Sequence, residues 1–120
     1  MAYYKELQVY IKSYDLAMRV FHVSKSFPKD ELFGLTSQIR RSSRSVCSNI
    51  VEGYRKRRYQ AHFISKLTDA DMENSETLVW INFALSCGYI NTETNNLLSQ
   101  KAEEIGRILN FMINHSEKLI

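Results

Sequence analysis

The chain has 120 residues, 44% of them hydrophobic and 24% charged, with a formal net charge of +3. That is the make-up of one ordinary soluble domain with one core, and a charge this mild says little about partners. No run approaches the roughly 18 apolar residues of a membrane span, and one proline with four glycines favours long helices over many short strands.

The start, MAYYKELQVYIKSYD, has no apolar signal-peptide core, so a cytoplasmic protein is expected. A first helix is predicted over about residues 10–26. Its polar positions Lys12, Asp15, Arg19 and His22 recur at helical spacing as one narrow solvent stripe. Nearly everything else there is apolar, including Ile11, Tyr14, Leu16, Met18, Val20 and Phe21. An arc that wide exceeds what one bundle core needs. Either this helix is central or a second subunit covers it. Phe27-Pro28 stops it, because the residue before proline is biased out of the α region.

A second helix is expected from about 31 to 53, with Asp30 as its N-cap, Glu31 complementing the dipole in its first turn and Gly53 as its terminator. Its core stripe is Leu32, Leu35, Ile39, Ser43, Val46, Ile50 and Tyr54. A third, about 59–86, repeats Phe63, Leu67, Ala70, Asn74, Thr77, Ile81 and Leu85 and ends at Cys87-Gly88. A fourth, about 93–115, is capped by Thr92 or Asn91. Its residues Leu98, Ala102, Ile105, Leu109, Met112, Ser116 and Leu119 keep spacings of four and three. That seam belongs to a left-handed bundle. Short connections then predict one all-α domain over 1–120, an antiparallel up-down-up-down left-handed four-helix bundle.

Charge is polarised along the chain. Residues 38–62 carry seven cations and one anion, and residues 63–104 two cations and seven anions. Arg40 and Arg44 share one flank of the second helix, and Asp69, Glu73 and Glu76 one flank of the third. Residues equidistant from the connecting turn lie side by side. This sets Arg44 level with Asp69 and Arg40 level with Glu73, as structural ion pairs within the chain or across a subunit contact. Such pairs fix register more than they add stability.

The tetrad Arg55-Lys56-Arg57-Arg58 sits at the turn itself, with Glu52 as its one nearby acid in sequence. It reads either as a solvated basic loop or as a phosphate-binding surface on which Tyr54 and Tyr59 offer stacking faces. Trp80 lies off the core stripe and reads as a second-layer core residue or a subunit-interface anchor. Cys47 and Cys87 have no CxxC spacing and read as buried reduced thiols. No Glu-x-x-His occurs, so no di-metal site is expected. His22, His62 and His115 are scattered, and no glycine-rich phosphate loop is present. No catalytic residue, metal or cofactor is expected.

The segment SFPKDELFGLTSQIRRSSRSVCSNIVEGY resembles the hallmark of the four-helix bundle proteins encoded in intervening sequences of bacterial 23S rRNA genes. The pattern FPxxExxGLxxQxRRxxxSxxxNIxEG is met by Phe27, Pro28, Glu31, Gly34, Leu35, Gln38, Arg40, Arg41, Ser45, Asn49, Ile50, Glu52 and Gly53. KLTDADMENSETLVWINFALSCGYI is similar to the third helix of one branch of the family. The resemblance implies an antiparallel four-helix bundle that assembles as a ring-like homopentamer, with Asn49, Glu52 and Gly53 sharing a role at the end of the second helix. It implies no established activity. A fold relative, the accessory variability protein of diversity-generating retroelements, forms a basic pentameric barrel that binds a reverse transcriptase and nucleic acid. Two functions follow as expectations: a non-enzymatic oligomer that contacts RNA or other nucleic acid through the basic turn, or a protein-interaction scaffold with no nucleic-acid role.

Overall fold

The computed structural model describes Tyr4 and residues 7–119; the rest of the expected 1–120 domain lies outside the described residues. Four helices make the fold: α1 (Gln8–Ser24), α2 (Leu35–Arg55), α3 (Gln60–Ser86) and α4 (Thr92–Asn114). Short 3₁₀ turns lie at Lys29–Glu31 and Ser116–Leu119, and no strand occurs among the described residues. Each helix packs on two others: α2 on α1 and α3, and α4 on α3 and α1. Contacts join the end of α2 to the start of α3, and Asn74 of α3 donates its amide to the Ala102 carbonyl of α4 at 2.8 Å.

All four helices feed one buried apolar cluster, which includes Leu16, Ile39, Phe63, Ile81, Ile105 and Leu109. The stripes expected from spacing are the ones buried, with three departures. Leu32 is exposed, Leu85 yields its core place to Ala84, and Leu119 is only half-buried. Two polar core positions are satisfied across helices or along them. Thr77 Oγ1 lies 2.9 Å from Ser42 Oγ of α2 and also donates to the Glu73 carbonyl.

The helix ends differ more. Asp30 does not cap α2. Lys29–Glu31 closes a 3₁₀ turn instead, and α2 begins four residues later. The carboxylate that meets its N-terminus is Glu31, whose Oε1 accepts from the Leu35 N–H at 3.1 Å. Its Oε2 accepts from the Tyr89 hydroxyl at 2.9 Å, tying the α3–α4 loop to the same end. A negative charge is favourable there because the first turn leaves its N–H groups unpaired. Gly34 makes room for it: a Cβ would stand 2.9 Å from Glu31 Oε1.

Gly53 does not end α2, which runs two residues further to Arg55. Its role is close approach. A Cβ there would meet Lys66 Cβ at 3.0 Å and the Phe63 carbonyl at 3.5 Å, so the bare Cα lets α2 and α3 touch next to their turn. Gly88 does terminate α3, with φ +78°. The Gly88 N–H donates to Leu85 O and the Tyr89 N–H to Ala84 O, the paired bonds of a Schellman ending. Asn91 caps α4, its Oδ1 accepting from the Thr94 N–H at 2.8 Å.

Two residues of the polar stripe of α1, Lys12 and Asp15, reach α4, while Arg19 and His22 stay exposed. Lys12 pairs with Glu104, and Asp15 with Arg19 and Lys101. The surplus apolar width of α1 faces outward on the α2 side, where Ile11, Tyr14 and Met18 are 45%, 53% and 39% exposed.

Core and surface phenylalanines should separate cleanly. Phe63 is 0% exposed and Phe33 92%. Phe63→Ala should lower unfolding stability by about 3–5 kcal/mol, and Phe33→Ala by no more than about 0.5 kcal/mol. Urea titrations with unchanged m-value check both; equal losses would contradict the assigned core.

Candidate nucleic-acid interface

The cations of α2 divide by their direction around the helix. Successive residues turn by about 100°, so Arg40 and Arg41 leave the helix on different sides. Arg41 faces α3. Its Nη1 donates to Glu73 at 2.7 Å, and its Nη2 pairs with Glu76. The hydrogen bond that Arg41 donates to Glu73 raises the Arg41 pKa above its ordinary value. Arg41 also donates to Gln38 Oε1 at 3.3 Å.

The expected pairs Arg44–Asp69 and Arg40–Glu73 do not form within the chain. Arg40 faces α1, where its Nε donates to Ser24 Oγ at 2.8 Å. Its guanidinium lies 4.9 Å from the Phe21 ring centroid, and that of Arg44 lies 5.7 Å from the same centroid. The expectation placed the carboxylates level with the right stretch of α2. It erred in direction by one residue, and 100° moves a side chain to another helix.

The basic turn is smaller than its sequence suggests. Arg57 folds back on α2: it donates to the Tyr54 carbonyl at 2.9 Å, and its guanidinium covers the Tyr54 ring at 4.1 Å. Tyr54 is itself buried, so its ring is no stacking platform for a base. Arg55, Lys56 and Arg58 are exposed, and no carboxylate pairs with them among the described residues. Tyr59 is 58% exposed, with its ring edge-on to His62 at 6.3 Å. The free surface is thus Arg55, Lys56, Arg58 and Tyr59.

Glu52, the one acid near the tetrad in sequence, points across to Lys66 at 2.9 Å. That hydrogen bond raises the Lys66 pKa. Asn49 donates to Ser45 O and Oγ within α2. Asn49, Glu52 and Gly53 therefore act on α2 itself and on the α2–α3 contact, and none caps the helix.

Trp80 is half-buried against the core, 5.8 Å from the Phe83 ring. Its Nε1 is buried without a hydrogen-bond partner, and the residue lines a cleft with Glu31, Leu35 and Gln38. The cysteines are not alike. Burial pushes the Cys47 thiol up to about 11, whereas Cys87 is exposed and not a core residue. Among the described residues no three His, Cys, Asp or Glu groups gather as a metal site. No described helix is long and apolar enough to cross a membrane.

Sequence reasoning missed Phe21, Ser24 and Tyr89 as organisers. Phe21 and Ser24 hold arginines from another helix, a contact between segments with no periodic signature. Glu31 was expected as a charge that complements the helix dipole, and it does meet the N-terminus of α2, from just before the helix and as the acceptor of the Leu35 N–H. Asp30 beside it fitted the usual capping preference better.

The family model described as 23S rRNA-intervening sequence protein matches residues 5–111. A crystal structure from Bacteroides thetaiotaomicron, of a protein with unknown function from the S23 ribosomal protein family, is similar to this one. The TM-score is 0.80 at 30% sequence identity, over 88% of this chain and 95% of that one. No curated protein matches the chain.

The corrected pairing has a direct check. A double-mutant cycle on Arg41→Gln and Glu73→Gln should give a coupling of roughly 0.5–1 kcal/mol. The cycle on Arg44→Gln and Asp69→Asn should be additive within about 0.3–0.5 kcal/mol. The opposite ranking would restore the original pairing.

Proposed function

The chain belongs to the 23S rRNA-intervening sequence protein family, and on that footing we propose a non-enzymatic, self-associating bundle that contacts RNA through the α2–α3 turn. One observation carries the reading. Arg55, Lys56 and Arg58 stand in solvent with no acidic partner among the described residues, while Arg41 is held by two carboxylates. Three free cations beside an exposed tyrosine suit a single strand: phosphates meet the cations and a base stacks on Tyr59.

Self-association is part of the same proposal. The uncovered stripe Ile11, Tyr14 and Met18 borders an α1–α2 groove of about 410 Å³, whose other wall includes Cys47 and Val51. A second copy would bury that surface. A homopentamer is the proposed state, and the number five rests on the family resemblance. An up-down-up-down, left-handed antiparallel arrangement is proposed for the bundle. The α2–α3 and α3–α4 contacts support the alternation, and the four-three spacing of α4 supports the hand. A cytoplasmic location is proposed as well.

The same groove favours a second reading, a protein-interaction scaffold, in which a different protein covers α1 and the turn cations serve solubility. RNA binding separates the two. Arg55→Gln, Lys56→Gln and Arg58→Gln together should leave stability within about 0.5 kcal/mol of the parent. With a labelled single-stranded RNA, the log–log salt slope should shrink by roughly 0.7 for each phosphate that the variant no longer neutralises. Fluorescence anisotropy at several salt concentrations reads it. Equal affinity and equal slope would leave the scaffold reading ahead.

A further inference from the structure

Three cations surround one aromatic ring at the far end of α2. Lys25 Nζ stands 4.7 Å from the Phe21 centroid, Arg40 4.9 Å and Arg44 5.7 Å. None of the three is paired with a carboxylate among the described residues. Like charges gathered this way repel, and the ring face offsets only part of that repulsion. Beside them lies a cleft of about 230 Å³ between the end of α1 and the start of α2. Lys25, Lys29 and Arg40 supply its charge, and Ser24 and Thr36 its hydroxyls.

Arg40 is fixed before any ligand arrives. Its Nε is committed to Ser24 Oγ, which in turn donates to the Phe21 carbonyl at 3.0 Å. The remaining guanidinium N–H groups are left for an acceptor outside the chain. Neither nearby acid forms an ion pair with the cations of the cleft among the described residues. Glu31 is engaged by Leu35 and Tyr89, and Asp30 is exposed with no ion pair among the described residues. A fork of N–H donors beside two mobile ammonium groups suits a tetrahedral oxyanion.

We propose that Lys25, Lys29 and Arg40 form a second phosphate-binding site, and that it takes a phosphodiester of an RNA strand. The choice of RNA as the source rests on the function proposed above; the phosphate chemistry does not. Arg40 and Arg55 lie at opposite ends of α2, about 22 Å apart at the α-helical rise. One strand can therefore meet both ends of α2, and the two weak contacts reinforce each other through effective concentration.

The test uses the full chain and a fluorescein-labelled single-stranded polyuridylate, with anisotropy read across a salt series. The cluster variant is Lys25→Gln with Lys29→Gln, two exposed residues whose replacement leaves the Arg40–Ser24 bond in place. The control is Arg107→Gln with Lys118→Gln, exposed cations that line neither this cleft nor the turn. The cluster variant should lower the salt slope by roughly 1.4, two phosphates at about 0.7 each, with much less change in the control. Equal decreases in both variants would reduce the site to general charge and overturn it.

Failure of this site and failure of the turn are distinguishable. If the triple turn variant has a smaller slope and the cluster variant does not, the inference falls and the function stands. If the cluster variant alone has a smaller slope, the site stands and the turn is dismissed. Calorimetric titration with inorganic phosphate covers the other source. Heat from the parent, none from the cluster variant, and an unchanged RNA slope would assign the cleft to free phosphate and overturn the strand. A changed mass in light scattering with an unchanged slope would assign the cations to a subunit contact and overturn it too.

Discussion

Everything on the surface of this bundle depends on how closely α2 lies against α3. Gly53 allows that approach next to the turn, since a Cβ there would crowd Lys66 and Phe63. Further along, the small residue Ser42 shares a hydroxyl contact with Thr77 in place of a larger apolar pair. Helices that meet through glycine and serine present fixed directions to each other. With α2 seated this way, Arg41 reaches toward Glu73 and Glu76, and Arg40 and Arg44 turn to α1. The electrostatics of the chain is thus a consequence of its packing.

Much of this was legible in the sequence. Heptad-like spacing identifies the buried faces of α2, α3 and α4 because a core position must recur on one side of a helix. Gly88 and Asn91 mark helix ends for reasons of backbone conformation and capping, and both act as expected. The ion pairs were legible in level but not in direction. Chain length from a turn sets height along the bundle, whereas rotation about the axis is set by which side chains interdigitate. An error of one residue sends a guanidinium to a different helix. Tyr54 shows the same limit: its place in the core stripe already implied burial, and that excluded the stacking role its position beside the tetrad suggested.

The cations of the basic segment have separate roles. Arg41 and Arg57 hold the fold, one across helices and one back onto its own. Arg55, Lys56 and Arg58 are left at the turn, and Arg40 and Arg44 rest on Phe21 without acidic partners among the described residues. The apolar excess of α1 lies between these two basic ends, in the groove beside Val51 and Cys47. An assembly that covers this groove would bring several copies of each basic end onto one particle. Contacts that are weak singly then act together.

The central claim is that packing separates the structural arginines from the ligand-facing ones. Arginine side-chain Nε–Hε spectra, recorded as single-stranded RNA is added, test it residue by residue. The account predicts that the Arg55 and Arg58 resonances shift with RNA while those of Arg41 and Arg57 stay in place. A shift confined to Arg41 and Arg57, with Arg55 and Arg58 unmoved, would contradict it.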